Sequence, residues 1–566
     1  MPWLGVESAW YVLMHTRLAE SARAFSATAR NPSLLRAQLA FGASWTAEWA
    51  FTVALGVVAF RDGGTTAVGL VAFARMAPSF LLAPLGTALA DRFARERVLV
   101  WSCLLRAAAT AAAALVLAAD GSKVGVYALA TLATAAFTVF RPAHTALLPA
   151  LCVTPLELTS ASVVRGFVDS VSTLVGPLLA ALLLDVGSAE AVFAAAAALS
   201  FGSGALLLAL SYEAAPRGVP QPLRRILRET AEGFCALVRY RDAGLLFGIG
   251  FGQTLTRGFL NVFLVVMALE LLDSGDTGVG LLTAAVGAGA VVGSLGASLV
   301  VTGRRLAVLQ GIGVALWGLP LTLCGLLPYE ATVVALMCAI GVGNALVDIG
   351  VFSLPARLVP EELLARVFGA FESLVALTVA VGSLVTPPVI DLLGIRGALV
   401  VLGLVAPALV ALSWRRLRRI DASIAHRDAE IGVLNRVSIL RPLPLPAIDS
   451  LAAHVGHASV ATGQEVFHQG DYGDRFYVID DGEAEVIGDG RMIRMLRAGD
   501  GFGEIALLRN TVRTTTVRAR TPLELYTLDR RHFVPAISGY QSSARQAETV
   551  VDDRLRTFAP AGGQSG

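Results

Sequence analysis

The sequence predicts an all-α membrane domain of 12 transmembrane helices, arranged as two pseudo-symmetric six-helix bundles, followed by a small α+β domain built on a β-roll. Three observations predict it. Of 566 residues 55% are hydrophobic and only 16% charged, a balance well outside that of soluble globular domains. Twelve stretches before residue 413 are long and apolar enough to cross a bilayer, which takes about 20 residues. Beyond the arginine cluster of residues 415–419 the composition becomes that of a soluble domain, and from Glu465 the pattern is one of short alternating strands divided by glycine turns.

In chain order, residues 1–32 mix Glu7, Arg17, Glu20, Arg23 and Arg30 with small apolar residues and read as an N-terminal interfacial segment without the charged, apolar and cleavage regions of a secretory signal. The first bundle, 33–211, holds spans at 34–60, 65–90, 98–119, 124–148, 162–185 and 189–211. A polar inter-bundle loop, 212–243, separates it from the second bundle, 244–413, with spans at 244–271, 277–301, 306–327, 331–355, 366–392 and 396–413. Lipid offers backbone amides no partner, so each span is expected to be a helix. Turn and charge clusters such as Arg61-Asp62-Gly63-Gly64 and Asp273-Ser274-Gly275-Asp276 divide them. A juxtamembrane linker, 414–446, opens on the arginine cluster of residues 415–419 and ends in the Pro442, Pro444, Pro446 run. The domain expected over 447–560 alternates from Glu465 onward, with turns at Asp481-Gly482 and Gly488-Asp489-Gly490, and closes in helices beyond Asp529.

Arginine is retained on the cytoplasmic side during insertion. Loops on one face carry Arg92, Arg95, Arg97, Arg217, Arg224, Arg225, Arg228, Arg239, Arg241, Arg304, Arg305 and Arg357, and those on the other carry only Arg61, Lys123 and Arg396. This asymmetry predicts a multi-pass protein of the cytoplasmic (inner) membrane with both termini cytoplasmic. The two halves also echo each other: Leu148-Pro149-Ala150 and Leu354-Pro355-Ala356 stand 206 residues apart, and Asp185 and Asp391 keep the same offset. Parallel six-helix repeats place a cavity between the halves.

Charges inside spans are costly and must face protein or water. Glu48, Arg75, Arg106 and Arg257 lie near mid-span, and Gln253 and Asn261 flank Arg257 on neighbouring turns. They are the candidates for a transport cavity, with Glu48 as a proton carrier whose partial desolvation favours the protonated form; the alternative makes Glu48 a permanent partner of Arg75 or Arg106. Arg141, Asp169, Asp348 and Glu372 lie nearer the cytoplasmic ends and are expected to act as gate or latch partners. The five cysteines are scattered, no Cys/His cluster has metal-ligand spacing, and no nucleophile–base pairing or P-loop is present, so neither a metal, a covalent cofactor nor an enzyme is expected. A net charge of +2 advertises no nucleic-acid partner.

The loop after the second span, Gly86-Thr87-Ala88-Leu89-Ala90-Asp91-Arg92-Phe93-Ala94-Arg95, resembles the signature loop of the major facilitator superfamily, with Thr87 and Ala94 where glycine is usual. The resemblance implies a cytoplasmic latch built on Asp91, Arg92 and Arg95. Val175-Gly176-Pro177-Leu178-Leu179-Ala180-Ala181 in the fifth span is similar to the glycine–proline motif of facilitator exporters, with alanine in its last two places, and implies a bend at Gly176 and Pro177. Gly289 to Gly293 reads as helix packing.

The stretch Ala498-Gly499-Asp500-Gly501-Phe502-Gly503-Glu504-Ile505-Ala506, followed by Arg513-Thr514-Thr515, resembles the phosphate-binding cassette of cyclic-nucleotide-binding domains. The resemblance implies a site of Phe502, Gly503, Glu504, Ile505, Ala506, Arg513, Thr514 and Thr515. In it amides at a helix start and Arg513 receive the cyclic phosphate, and Glu504 accepts from the ribose 2′-hydroxyl. Adenine is favoured over guanine as the base, on family frequency. A base lid is expected from the last helix, within 540–557. Together these imply a transporter, an exporter of a small amphipathic molecule with coupling to protons, whose regulatory ligand is cAMP or cGMP. The alternatives are a membrane-tethered nucleotide receptor or scaffold and an exporter of the nucleotide itself.

Overall fold

The computed structural model describes residues 26, 28–152, 154–210, 223–300 and 305–558; side chains at 83–92, 297–300 and some further helix positions lie outside that description. The expected interfacial segment therefore falls mostly outside the described residues. The chain divides into two compact units, Met1–Ile420 and Asp421–Gly566.

The first unit is helical: α1 (Pro32–Arg92), α2 (Arg95–Ala118), α3 (Lys123–Leu151), α4 (Pro155–Val186), α5 (Ala189–Leu208), α6 (Leu223–Arg239), α7 (Arg241–Val266), α8 (Gly275–Val300), α9 (Leu306–Leu326), α10 (Glu330–Ser353), the short α11 (Pro355–Leu358) and α12 (Glu361–Gly403). The next helix, α13, runs Val405–Leu434, so the last apolar stretch and the linker share one helix. Ten helices among the described residues are long and apolar enough to cross a membrane. Two of them contain glycine breaks, α1 at Gly63 and Gly64 (φ +62° at the latter) and α12 at Gly394 (φ +68°). These are the places where the sequence separates its first span from its second and its eleventh from its twelfth; a left-handed glycine turns the chain without the steric cost any other residue would carry. A five-residue π turn, Met267–Leu271, ends α7. Thr154 caps α4, its side chain accepting from the Glu157 amide, with Pro155 at the first helical position.

Small residues let the helices of the two halves approach. A Cβ at Gly280 of α8 would stand 2.8 Å from the Pro177 carbonyl of α4, and one at Gly287 would stand 2.5 Å from the Thr173 carbonyl. At Gly69 of α1 it would stand 2.7 Å from the Ser383 carbonyl of α12. Gly176 and Pro177 thus divide their work: Gly176 meets Thr46 and Trp49 of its own half, while Pro177 receives Gly280 from the other. Gly289 and Gly293 lie against Cys338 and Ala345 of α10, within the second half.

The second unit follows α14 (Leu445–Ala452) with two antiparallel four-stranded sheets. One has the order β1 (Gly456–Val460), β8 (Leu523–Asp529), β3 (Arg475–Asp481), β6 (Gly501–Phe502); the other runs β2 (Glu465–Phe467), β7 (Thr516–Ala519), β4 (Glu483–Gly488), β5 (Arg491–Arg497). The β4–β5 connection is Asp489-Gly490, both at positive φ (+49° and +76°), as a tight two-residue hairpin requires. Inward residues Ile479, Val486, Leu496, Phe502, Val517 and Leu525 form the roll's core. A second cluster packs Leu434, Leu440, Phe476 and Leu528 against Phe533 and Ile537 of α16 (Arg530–Ser538) and Ala547 of α17 (Gln541–Phe558).

Candidate functional site

The pocket of the second unit is built from one turn. Strand β6 pairs with β3 through Tyr477–Phe502 and Val478–Gly501, and Gly503, at φ +89°, then starts the short helix α15 (Glu504–Leu508). Only glycine serves here for two reasons: the left-handed backbone, and a Cβ that would stand 2.6 Å from an Arg513 nitrogen. Arg513 is 3% exposed. Its Nη1 donates to the Gly503 carbonyl and its Nη2 to the Arg475 carbonyl, each at 2.8 Å, while the guanidinium lies 4.1 Å above the Phe467 ring. Burial pushes its pKa below the usual arginine value, opposed by Tyr477, Asp474, Glu504 and Asp471. Glu504 is 1% exposed, and its Oε1 accepts from Arg554 Nη1 at 2.7 Å.

Two buried polar atoms in this turn lack a hydrogen-bond partner: Glu504 Oε2, an acceptor, and Arg513 Nε, a donor. Buried polar groups are seldom left unpaired, and an orphaned pair of this kind points to a ligand with a hydroxyl and an anionic group. They border a pocket whose lining brings polar and apolar side chains together. All eight residues singled out in the sequence line it, joined by Phe467, Val486, Arg494, Leu496 and Val517 from the strands and by Asp553 and Arg554 from α17. The last helix falls where a lid was expected; helix periodicity alone did not say that Arg554 is the residue turned towards Glu504.

In the first unit the candidate cavity charges divide into two groups. Glu48 bridges two arginines, Oε1 to Arg75 Nη2 at 2.6 Å and Oε2 to Arg106 Nη2 at 2.9 Å. Arg75 also donates to Thr134 and Thr52, and Arg106 donates to the Ser44 carbonyl and lies 4.4 Å over Phe137. The triad ties α1, α2 and α3 together inside one half, the arrangement of the pairing alternative.

Arg257 is elsewhere. It lies 5.7 Å over the Trp49 ring, and its charged neighbours are Arg141, Asp348, Asp169 and Glu372, so it joins the residues expected to form the latch. The physical reason is helical phase: on α1, Glu48 faces α2 and α3, whereas Trp49, a 100° step on, faces the other half. Gln253 is buried and Asn261 half-buried on the same helix α7. Arg141 stacks over Trp45, one turn from Trp49 on α1, and feels the charges of Glu372, Asp169 and Asp348.

The cluster draws Arg141 and Asp169 from the first half and Arg257, Asp348 and Glu372 from the second. Arg165, missed in the sequence, stands beside Asp169 and Arg141. Among the described residues none of these arginines forms an ion pair with Asp169, Asp348 or Glu372; Asp348 instead accepts from Asn344 at 3.1 Å, and a buried oxygen of Asp169 has no partner. Asp348 and Glu372 remain exposed. The opposed charges of the two halves thus act on one another without direct ion pairs among the described residues. At other levels the halves touch, through Arg61 with Asp276, Ser170 with Ser294 at 3.1 Å, and the glycine approaches above. Of the signature loop, Arg95 donates to the Ala146 carbonyl at 2.6 Å, and the side chains of Asp91 and Arg92 lie outside the described residues.

A polytopic helical protein with two facing halves, joined to a β-roll holding an anion pocket, is the class that fold and site define. The family model of the Major Facilitator Superfamily matches residues 38–272 and 246–473, and that of the cyclic nucleotide-binding domain matches 458–540. The chain belongs to the Major Facilitator Superfamily and carries a C-terminal cyclic nucleotide-binding domain; neither family is one of enzymes. It is 33% identical over 180 residues to a cAMP-dependent protein kinase regulatory subunit of Schizosaccharomyces pombe, covering 31% of this chain and 43% of that one. It is 38% identical over 136 residues to an uncharacterized protein of Mycobacterium tuberculosis, covering 24% and 25%. The chain therefore spans less than half the length of these relatives. Among solved structures it is similar to the regulatory domain of Toxoplasma gondii protein kinase A with cAMP (22% identity, TM-score 0.22, covering 24% of this chain and 52% of that one). It is also similar to a cAMP-independent protein kinase A regulatory subunit of Trypanosoma cruzi bound to guanosine (28%, TM-score 0.21, covering 24% and 50%).

Proposed function

We propose that the chain is a twelve-span secondary transporter of the inner membrane, an exporter of a small amphipathic molecule, whose cycle is set by a cyclic nucleotide bound on the cytoplasmic side. One observation carries the reading: a pocket with its phosphate-type arginine and ribose-type carboxylate both in place, on the same chain as two facing helical halves. In the pocket Arg513 takes the cyclic phosphate together with the α15 amides, and the unpartnered Glu504 Oε2 accepts the 2′-hydroxyl while Arg554 holds the other oxygen. The S. pombe relative, named for cAMP dependence, supports cAMP over cGMP.

In the membrane the Arg141, Asp169, Arg257, Asp348 and Glu372 cluster forms a gate. Its charges stand apart with the gap open and pair when the halves rock together. Trp45 and Trp49, each under an arginine, give the gap an aromatic wall beside fixed charge, the chemistry that suits an amphipathic cargo. Glu48, held between two arginines, fits a structural role better than proton transfer. The arginine asymmetry of the loops supports termini and a nucleotide domain on the cytoplasmic side.

The test is flux from proteoliposomes loaded with a panel of fluorescent amphiphiles, with cAMP inside or outside. Nucleotide-dependent flux in the wild type supports the reading. Nucleotide binding without flux of any cargo favours a tethered receptor, and flux of labelled nucleotide after removal of residues 430–566 makes the nucleotide the cargo.

A further inference from the structure

Helix α13 and strand β1 of the second unit bring together three side chains that neither the nucleotide pocket nor the membrane half uses. His426 and Glu430 are one turn apart on α13, and His457 lies on β1, where it pairs in register with Tyr526 and meets that ring edge to face at 5.0 Å. Their donor atoms all lie within 4.8 Å of one another. Both imidazoles aim Nε2 at one oxygen, Glu430 Oε1, at 3.3 Å from His426 and 3.5 Å from His457.

Those separations decide between two accounts of the cluster. An imidazole that satisfies a carboxylate by hydrogen bonding sits at about 2.7–3.2 Å with good alignment, and neither histidine forms such a bond to Glu430 among the described residues. A tetrahedral metal with arms of about 2.0–2.1 Å has edges of about 3.3–3.4 Å between its donors. The two edges from Glu430 Oε1, 3.3 and 3.5 Å, are close to the second, and the third, between the two imidazoles, lies within 4.8 Å. Burial points the same way. The Glu430 side chain is 10% exposed, so its charge needs a cation, while the histidines are 67% and 54% exposed and leave the site open to water and to metal entry. Two imidazolium ions sharing one carboxylate oxygen would repel each other, whereas one divalent ion shared by two neutral imidazoles and a carboxylate satisfies all three.

We infer that His426, Glu430 and His457 form a site for a borderline divalent transition metal, zinc foremost, with water in the fourth position. Two nitrogens and one oxygen suit zinc, cobalt or nickel, and the nitrogen donors disfavour magnesium and calcium. Bound metal would fasten the C-terminal third of α13 to β1, the edge strand of its sheet. The inference is independent of the nucleotide reading, because none of the three residues lines that pocket.

The experiment uses untagged, chelator-treated full-length protein in detergent. Zn²⁺ is titrated by calorimetry, Co²⁺ by visible absorption, and Mg²⁺ serves as control. The expected result is one equivalent of Zn²⁺ per chain, a tetrahedral cobalt spectrum that Zn²⁺ abolishes, and a metal-dependent rise in melting temperature. His457→Gln should weaken uptake by more than the roughly 10–100-fold that loss of an outer-shell partner brings, and the His426→Gln, His457→Gln double variant should remove it while melting like the metal-free wild type. Failure of the wild type to take up stoichiometric Zn²⁺, or undiminished uptake by the double variant, would overturn the assignment.

Discussion

Arg513 does two things at once: it cements the turn by donating to the Gly503 and Arg475 carbonyls, and it keeps one buried N–H unspent. Replacing it with alanine should lower cyclic-nucleotide affinity at least about 100-fold, near 3 kcal/mol, measured by calorimetry, with the circular dichroism spectrum of the roll retained. Gly503→Ala faces a different penalty, about 1–2 kcal/mol of left-handed strain plus the approach to Arg513. It should therefore lower the melting temperature as well as affinity, whereas loss of affinity alone would place the glycine's importance in the ligand and not the backbone. Both residues were legible in the sequence because the cassette is local, its acid and arginine only nine positions apart. Arg554 was not: it reaches Glu504 across 50 positions, and a helix pattern says which residues share a face but not what that face meets. The same limit hid His457 as a neighbour of His426 and Glu430. Glu48 shows the converse, since hydropathy located a mid-span carboxylate and only the fold showed two arginines on it. Glu48→Gln should leave those arginines without a counter-charge and cost about 3–5 kcal/mol of stability, read as a fall in melting temperature in detergent. A stable variant with normal folding and abolished proton-coupled flux would restore the carrier role.

Among the helices, glycine sets what can move. The breaks at Gly63-Gly64 and Gly394 were readable because a glycine beside a charge cluster interrupts an apolar run. The contacts of Gly280 and Gly287 with α4 were not, because sequence gives no partner for a small residue in a span where small residues abound. Here α8 lies directly on the α4 backbone, so Gly280→Leu or Gly287→Leu should wedge the halves apart at that level. The expected outcome is a folded protein with flux reduced by an order of magnitude or more; unaltered flux would mean that α4 and α8 do not bear on one another during the cycle. By contrast Arg61 is 70% exposed in its pair with Asp276, and a surface pair of this kind contributes at most about 1 kcal/mol. Arg61→Ala should leave stability within that range.

On the scale of the whole molecule, regulation requires the nucleotide to favour one transporter conformation over another, and couplings of this kind amount to about 1–3 kcal/mol, or 5–150-fold. The fold class, the division into two halves and the nucleotide domain could all be read from periodicity, charge asymmetry and one motif. The membrane cluster could be read only as separate charges, because Arg141 and Asp169 come to Arg257, Asp348 and Glu372 from opposite halves of the chain. Neutralising one sign of that cluster, as in Asp348→Asn with Glu372→Gln, should hold the gap open and stop the cycle while nucleotide binding persists. The most direct measurement is cargo flux in proteoliposomes as a function of cAMP for the wild type and Arg513→Ala side by side. The account predicts a nucleotide-dependent change of roughly 5-fold or more in the wild type and none in the variant, whose basal flux remains. An identical response in both, or a wild type that binds cAMP and transports at an unchanged rate, would contradict it.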